Sequence, residues 1–375
     1  MILEAARVLT AAGPLEPGWV QVDGTRIAAV GAGRAEGPAA RSFDGTLAPG
    51  FVDAHVHGGG GQGFDDAGPA AAAGIAAAHL RHGTTSMVAS LVTAPLAALT
   101  ASVRRLRALV EDGTLAGIHL EGPWLSPEHR GAHDAGQLRT PDRAEVEELL
   151  GAGGGTVRMV TIAPELKGSL EAIGSLVSRG VVVAVGHTGA DYERTRAALA
   201  AGSRAGTHVF NGMRPIHHRD PGPVPALLED PDVFAEVIAD GVHLHPAIVR
   251  LVFASPARTV LVTDAMAAAA APDGAYRLGG LDVVVRAGEA RLAAGGSIAG
   301  STLTLDAAVR YAVNVAGIPL VDAVRAATET PAQMLGLAEV GSIEASRRAD
   351  LVALDADLNV EAVMRAGAWV QPGAE

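Results

Sequence analysis

Short apolar runs that end at a histidine or a carboxylate constrain the fold of this chain more than any other feature. Each run is short enough to be a buried strand. The side chains at or near the ends of these runs are Glu121, His187, His208, the pair His55 and His57, and Asp264. Because a parallel barrel carries its chemistry at the carboxyl ends of its strands, the pattern predicts one site built from several strands.

Helical segments alternate with these runs. The spacing of apolar residues predicts helices over 70–82, 96–110 and 191–201, the last ending at Gly202, a residue common just past helix ends. Such alternation favours a (β/α)8 barrel or a doubly wound sheet. The ligand-type residues at strand ends favour the first, so we predict an α/β fold of the (β/α)8 TIM-like barrel type.

Both ends of the chain carry β-type segments outside that pattern. The length of 375 residues exceeds the ~250 residues of a typical α/β barrel, so a second module is expected. Since chain termini often lie close together, we predict a small discontinuous β-sandwich domain from residues 1–48 and 337–375. The barrel would span 49–336, with an inserted β-hairpin near 276–292.

Composition excludes several classes of function. With 41 acidic and 29 basic residues the formal net charge is −12, which argues against nucleic acid or an anionic membrane as the main partner. Cysteine is absent, so a metal must be held by histidines and carboxylates. The N-terminus lacks the pattern of a secretory signal, and no apolar run approaches the ~18 residues of a membrane span, so we expect a cytoplasmic protein.

The ligand-type residues indicate metal chemistry. A His-x-His pair on a strand directs both rings to one face, and here it is followed by a run of four glycines that lets backbone approach a site closely. Glu121, His187 and His208 offer the nitrogen and oxygen ligands that suit a divalent ion with a position left for water. Such an ion lowers the pKa of bound water toward ~7.

Asp264 has two readings. A carboxylate beside activated water can accept its proton and later deliver it to a leaving amine. Alternatively, Asp264 caps the segment that follows it.

Six sequence segments resemble segments of the N-acetylglucosamine-6-phosphate deacetylases of the amidohydrolase superfamily, in the same order along the chain. The segments are His119-Leu120-Glu121-Gly122-Pro123-Trp124-Leu125, Gly186-His187-Thr188, His208-Val209-Phe210-Asn211-Gly212-Met213, Arg219-Asp220-Pro221-Gly222, Asp240-Gly241-Val242-His243 and Thr263-Asp264-Ala265-Met266. The resemblance implies hydrolysis of N-acetylglucosamine 6-phosphate to glucosamine 6-phosphate and acetate.

The resemblance also implies roles for individual residues. Glu121, His187 and His208 match metal ligands, and Asp264 matches the proton donor and acceptor. The positions that match substrate contacts are Ala132, His133, Asn211, Gly212, Arg219, His243, Ile298, Ala299 and Gly300. Arg219 is the natural phosphate anchor, because a guanidinium grips phosphate through two hydrogen bonds. A homodimer is implied, since a partner subunit helps complete the phosphate site in this family.

Two features vary within the family or depart from its usual pattern. Some relatives lack histidines at the positions of His55 and His57 and hold one metal ion, so the presence of both here favours a second. We expect zinc first, with iron, manganese, cobalt and nickel as alternatives. Gly212 stands where alanine is more usual, a mild change if the backbone N–H makes the contact.

Rival functions remain at this point. A dihydroorotase, hydantoinase or dipeptidase often uses a carboxylated lysine as a bridging ligand, and the chain's single lysine, Lys167, lies in a predicted loop. A scaffold protein without turnover is the other class. Among the remaining histidines, His79 and His82 are predicted to complement the dipole at a helix end, and His119 to point into the core.

Overall fold

The computed structural model describes residues 1–370. Its strands, in chain order, are β1 (Ile2–Thr10), β2 (Gly13–Leu15), β3 (Gly18–Asp23), β4 (Arg26–Ala32), β5 (Arg41–Pro49), β6 (Phe51–Val56), β7 (Gly58–Gly59), β8 (Gln62–Gly63), β9 (Thr84–Leu91), β10 (Gly117–Glu121), β11 (Val157–Ile162), β12 (Val182–Val185), β13 (Ala205–Gly206), β14 (Phe234–Ile238), β15 (Arg258–Val262), β16 (Gly274–Leu278), β17 (Leu281–Arg286), β18 (Glu289–Leu292), β19 (Leu351–Leu354), β20 (Val360–Arg365) and β21 (Ala368–Trp369).

The helices lie mostly between barrel strands. They are α1 (Pro69–Leu80), α2 (Leu96–Glu111), α3 (Arg143–Gly153), α4 (Ser169–Val177), α5 (Tyr192–Ala200), α6 (Pro223–Leu228), α7 (Pro246–Phe253), α8 (Leu305–Asn314), α9 (Leu320–Ala326) and α10 (Glu329–Leu335). The three helices predicted from the sequence correspond to α1, α2 and α5. Asp191 caps α5 by accepting a hydrogen bond from the Arg194 N–H at 2.7 Å, which satisfies a donor that the first turn leaves free.

Eight parallel strands form the barrel. Their order is β6, β9, β10, β11, β12, β13, β14 and β15, and one of the helices α1 to α8 follows each in turn. All eight residues of β9 and all five of β14 are buried, as expected where a parallel sheet is covered on both faces. The predicted (β/α)8 barrel is confirmed.

The barrel closes where β15 meets β6. The Asp264 N–H donates to the His55 carbonyl at 2.9 Å, and the His57 N–H donates to the Ala265 carbonyl at 2.8 Å. The Thr263 hydroxyl donates to buried Asp53 at 2.7 Å. The closure therefore joins two of the apolar runs that carry ligand-type residues.

The chain ends share one sheet, which confirms the β-sheet predicted from both termini. Its order is β21-β20-β19-β5-β1-β3-β4, with β2 paired to β1. It has its own hydrophobic cluster, which includes Leu3, Phe43, Ile343 and Met364. The domain boundaries at 48 and 337 remain a prediction. The last positions of the predicted small domain, 371–375, lie outside the described residues.

An antiparallel sheet of three strands, β16 to β18, follows β15. The sequence predicted a hairpin near 276–292, and the structure has three strands over 274–292. Gly279, at φ +53°, makes the first turn, a backbone conformation that favours glycine. Its N–H donates to Asp65 at 3.2 Å, so the turn is fastened to the loop after the first barrel strand.

Among residues 1–370, no helix has the length and apolar character needed to cross a membrane.

Candidate active site

The six ligand-type side chains predicted from the sequence meet at the carboxyl end of the barrel. Glu121, the last residue of β10, lies at the centre. Its Oε1 is 3.1 Å from His187 Nε2 and 3.0 Å from His208 Nε2, while its Oε2 is 3.1 Å from His57 Nε2. One carboxylate thus faces two groups of histidines.

The first group consists of His187 and His208, which follow β12 and β13. Their Nε2 atoms are 3.1 Å apart. The His187 Nδ1–H donates to the His129 carbonyl at 2.8 Å. With the proton on Nδ1, the lone pair of Nε2 points toward Glu121.

The second group consists of His55, His57 and Asp264. The Nε2 atoms of the two histidines are 3.0 Å apart. Asp264 Oδ1 lies 3.4 Å from the first and 3.3 Å from the second. All three residues are buried, and with Glu121 their ligand atoms lie within 4.8 Å of one another.

These spacings fit metal ions. Two ligands on a tetrahedral ion with bonds of about 2.1 Å are about 3.4 Å apart, close to the 3.0–3.5 Å separations between facing nitrogen and oxygen atoms. The donor set contains only imidazole nitrogen and carboxylate oxygen, which suits a hard or borderline divalent cation. The two groups can therefore hold a metal ion each, with Glu121 shared.

The backbone is strained at three of these positions. His187, His208 and Asp264 have φ of +47°, +27° and +49°, in the left-handed region that side chains other than glycine rarely adopt. Each such residue costs of the order of 1–3 kcal/mol. The Asp264 backbone is held from both sides, since its carbonyl also accepts the Ser301 N–H at 2.8 Å.

His133 faces Glu121 from the loop after β10. The Thr93 N–H donates to its Nδ1 at 3.3 Å, and an N–H cannot act as an acceptor, so the ring proton lies on Nε2. That Nε2 is 3.3 Å from Glu121 Oε2. Burial lowers the pKa of His133 to about 4, although Glu121 opposes the shift, and the ring is a neutral hydrogen-bond donor at neutral pH.

Opposing effects set the charge of the two carboxylates. Burial raises the pKa of Glu121, but His55 and His133 outweigh it and hold that pKa well below its usual value. For Asp264, burial also raises the pKa, and His55 and His57 lower it further than burial raises it. Both groups are acceptors at neutral pH.

A cavity of about 390 Å³ opens above these side chains. Seven of the nine predicted substrate contacts line it, namely Ala132, His133, Asn211, Gly212, His243, Ile298 and Gly300. The other two, Arg219 and Ala299, do not line the cavity. Arg219 is exposed and lies beside His218 Nε2 at 2.7 Å, and Ala299 packs in the hydrophobic cluster under the three-stranded sheet.

His243 provides positive character at the cavity. Burial lowers its pKa, but the hydrogen bond from its Nδ1–H to Asp240, at 2.7 Å, and the charge of that carboxylate raise the pKa above its usual value. Gly212 adopts φ +58°, and a Cβ there would lie 2.8 Å from His187 Nδ1. A side chain there would therefore crowd the His187 ring, and glycine avoids that contact.

Sequence reasoning missed two charged residues of the site. Glu236, in β14, is fully buried and contacts His55 Nδ1 through Oε2 at 3.1 Å. A single carboxylate within an apolar run was the available signal. Arg291, in β18, lines the cavity. It pairs with Glu289 and donates to the Gly296 carbonyl at 2.7 Å.

Three other predictions have structural outcomes. His119 is buried in the core as predicted, 2.9 Å from Ser90 Oγ and 2.8 Å from Thr161 Oγ1. His79 does not serve its helix as a cation, because burial lowers its pKa to about 4; its Nε2–H instead donates to the Gly58 carbonyl at 2.8 Å. Lys167 is exposed and does not lie among the side chains that meet at Glu121.

Comparison with known proteins identifies the family. A model of the amidohydrolase family matches residues 46–370. The chain is 40% identical over 331 residues to an N-acetylgalactosamine-6-phosphate deacetylase of Escherichia coli O157:H7, covering 87% of this chain and 86% of that protein. It is 38% identical to an N-acetylglucosamine-6-phosphate deacetylase of Vibrio furnissii, covering 84% and 80% of the two chains.

A solved structure agrees with these relatives. It is a variant of the N-acetyl-D-glucosamine-6-phosphate deacetylase of Mycobacterium smegmatis in complex with N-acetyl-D-glucosamine 6-phosphate. The two chains are 51% identical, with a TM-score of 0.96 and 98% of each chain covered. The chain described above belongs to the amidohydrolase family and resembles its amino-sugar-phosphate deacetylases along most of its length.

Proposed function

We propose that this chain is a metal-dependent amidohydrolase that converts N-acetylglucosamine 6-phosphate to glucosamine 6-phosphate and acetate. The observation that carries the proposal is the position of Asp264, whose Oδ1 lies 3.3 Å from His57 Nε2 at the cavity lining. A carboxylate there is within reach of both an activated water and an amide held above it. The similarity to deacetylases of amino-sugar phosphates supports this substrate class.

Glu121, His187 and His208 would hold one divalent ion, and His55, His57 and Asp264, together with Glu121, a second. We propose zinc, because imidazole and carboxylate ligands suit it and cysteine is absent. Iron, manganese, cobalt and nickel remain alternatives. When bound, such an ion supplies Lewis acidity that polarises a carbonyl and makes water more acidic.

The side chains then carry the protons. Asp264 accepts a proton from the water that attacks the acetyl carbon, and it later donates that proton to the amide nitrogen. The C–N bond breaks, and the products are an amine and acetate. The Nε2–H of His133 lies at the cavity lining beside Glu121, and a hydrogen bond from it to the substrate carbonyl would stabilise the developing negative charge.

The phosphate would lie at the far end of the cavity. His243 and the backbone N–H of Gly212 are suitable donors, and Arg291 adds a guanidinium at the cavity wall. Arg219 is exposed and outside the cavity of its own chain. We therefore propose a homodimer in which Arg219 reaches the phosphate bound by the partner. Arg219→Ala would raise KM, and mixing it with an Asp264→Asn chain would restore one complete site per mixed dimer.

The rival amidohydrolases lack support here. A dihydroorotase, hydantoinase or dipeptidase often bridges its metal ions with a carboxylated lysine. Among the described site residues of this chain there is no lysine that could take that role. A scaffold without turnover is disfavoured by the complete set of ligands around Glu121. The predicted cytoplasmic location stays part of the proposal, and cell fractionation would test it.

The decisive experiment measures acetate release from N-acetylglucosamine 6-phosphate, with and without a chelator. We expect metal-dependent release, and a loss of about 10²–10⁴-fold in kcat for Asp264→Asn. Comparison with N-acetylgalactosamine 6-phosphate would show which sugar is preferred. Full activity of Asp264→Asn would remove that residue from the chemistry, and no release by metal-loaded protein would reopen the substrate class.

A further inference from the structure

Glu236 is a charged residue in an otherwise apolar barrel strand. It lies in the middle of β14, which reads Phe234-Ala235-Glu236-Val237-Ile238, and all five residues are buried. Its side chain is 0% exposed. A buried carboxylate costs several kcal/mol unless partners compensate it, so its contacts indicate what it is for.

The contacts of Glu236 reach both groups of metal-ligand candidates. Its Oε2 is 3.1 Å from His55 Nδ1 and 3.3 Å from the backbone N–H of His208. Its Oε1 is buried and has no hydrogen-bond partner among the described residues. The carboxylate thus lies directly behind the metal-binding end of the barrel and touches a ring in one group and the main chain in the other.

These contacts fix the state of one ring. Oε2 already accepts the His208 N–H, so it is an acceptor, and His55 Nδ1 must donate to it. The proton on Nδ1 leaves the Nε2 lone pair free. That atom points to the space enclosed by His57 Nε2 at 3.0 Å, Glu121 Oε2 at 3.5 Å and Asp264 Oδ1 at 3.4 Å.

We propose that Glu236 is a positioning residue for the second metal ion, holding His55 with its Nε2 lone pair toward that ion and supplying negative charge behind it. This inference rests on the metal-binding part of the proposed function. A hydrogen-bonded carboxylate behind a metal-binding histidine raises the basicity of the ring, and losing one typically weakens metal binding 10–100-fold.

Charge balance supports the same assignment. Glu121, Asp264 and Glu236 are three carboxylates in a buried site whose other metal-ligand candidates are histidines. Two divalent ions would compensate the negative charge of these carboxylates inside the barrel, where unpaired charge is unfavourable.

The test is stepwise metal binding, measured without substrate. Wild type, Glu236→Gln, His55→Asn and Val237→Ala are stripped with a chelator and titrated with Zn²⁺ in metal-buffered solutions. Bound metal per chain is read by elemental analysis. The binding step that is lost in His55→Asn is assigned to the second ion. Val237→Ala is the matched control, because it alters the same buried strand on the opposite face.

We expect the wild type to bind two ions and Glu236→Gln to bind the second at least about 10-fold more weakly, with the first step unchanged. Unchanged binding of both ions by Glu236→Gln would overturn the inference, and so would equal weakening of both steps. A wild type that takes up a single ion would overturn it while leaving the deacetylase proposal intact if acetate is released. Absence of any bound metal would overturn both.

A second measurement needs no variant to fold. In zinc-loaded wild type labelled with ¹⁵N at histidine, the His55 Nδ1–H should give an exchange-protected proton signal correlated with a protonated ring nitrogen, because the bond to Glu236 is buried. Absence of a protected Nδ1–H at this ring would contradict the inference regardless of how the variant behaves.

Discussion

The two sides of Glu121 are built differently. On one side, His187 and His208 follow their strands, both at positive φ, and His187 is oriented by a neutral backbone carbonyl. On the other side, His55 lies within β6 and is oriented by a buried carboxylate. The first side thus depends on loop conformation, whereas the second depends on charge inside the barrel.

This difference teaches how one carboxylate can serve two unequal sites. A carbonyl behind a ring fixes its tautomer without adding charge, whereas a carboxylate also makes the ring a stronger ligand. The side with the carboxylate is also the side that carries Asp264. We expect the two sides to respond differently to substitution.

Glu121→Gln should have the largest effect, because it removes the charge that both sides share. We expect loss of both metal ions and a fall in kcat/KM of at least about 10³-fold, since water and carbonyl lose their activation. Elemental analysis and acetate release measure the two effects. Glu147→Gln, an exposed position on α3, is the matched control. Retention of one ion by Glu121→Gln would mean that the sides bind independently.

A matched pair of variants tests which side is essential. His187→Asn should lower kcat/KM by about 10³-fold, and His57→Asn by about 10-fold, because the resemblance implies that one ion suffices in some relatives and that it binds at the His187 side. Acetate release measures the rates, and metal content shows which ion is lost. Equal losses in the two variants would contradict the unequal roles of the sides.

Acid should lower the free energy of unfolding through His79. The ring of His79 donates to the Gly58 carbonyl in the glycine turn that follows β6 and His57. Burial lowers the folded-state pKa of His79 to about 4 from 6.5. Between these values the unfolded chain binds the proton and the folded chain does not, so stability falls as pH falls. The contribution is complete above pH 6.5, and about 3 kcal/mol is lost by pH 4.

His79→Gln isolates this effect, since glutamine keeps an N–H donor and does not titrate. Between pH 7 and 5 the variant should lose about 2 kcal/mol less unfolding free energy than the wild type. Urea denaturation at the two pH values measures it. Parallel losses in the two proteins would show that other buried groups cause the acid sensitivity.

Arg291→Ala should have the smallest effect, because Arg291 is far more exposed than the metal ligands, with 47% of its side chain accessible. We expect KM to rise up to about 10-fold with kcat and metal content unchanged, as for a partly solvated contact to an anion. Steady-state kinetics with N-acetylglucosamine 6-phosphate provides the measurement. A fall in kcat alone would place Arg291 nearer the chemistry than the cavity geometry indicates.

Much of this site could be predicted because its candidate metal ligands lie at or just after strand ends. Glu121 and His187 each follow a recognisable apolar run, and the barrel brings such ends together by construction. Family resemblance added His133 and Asn211, which lie in loops without any pattern of their own. The terminal sheet was predictable too, because β-type segments stand at both chain ends and chain termini often lie close together.

The other site residues could not be predicted, because their contacts join positions far apart in the chain and leave no local sequence pattern. Glu236 has no motif, because its partner His55 lies 181 positions away. Arg219 was predicted as a phosphate anchor, but it is exposed and does not line the cavity of its own chain. The β segment near 276–292 was predicted as a hairpin and not as three strands, because the exposed residues of β16 show little alternation.

The left-handed backbones of His187, His208 and Asp264 have a consequence for engineering. Glycine adopts such a conformation without steric cost. Replacing any of the three residues with glycine would therefore relieve backbone strain but abolish the proposed hydrolysis. A selection for heat resistance alone would therefore favour inactive barrels. Any thermostability campaign on this chain should leave these three codons unvaried.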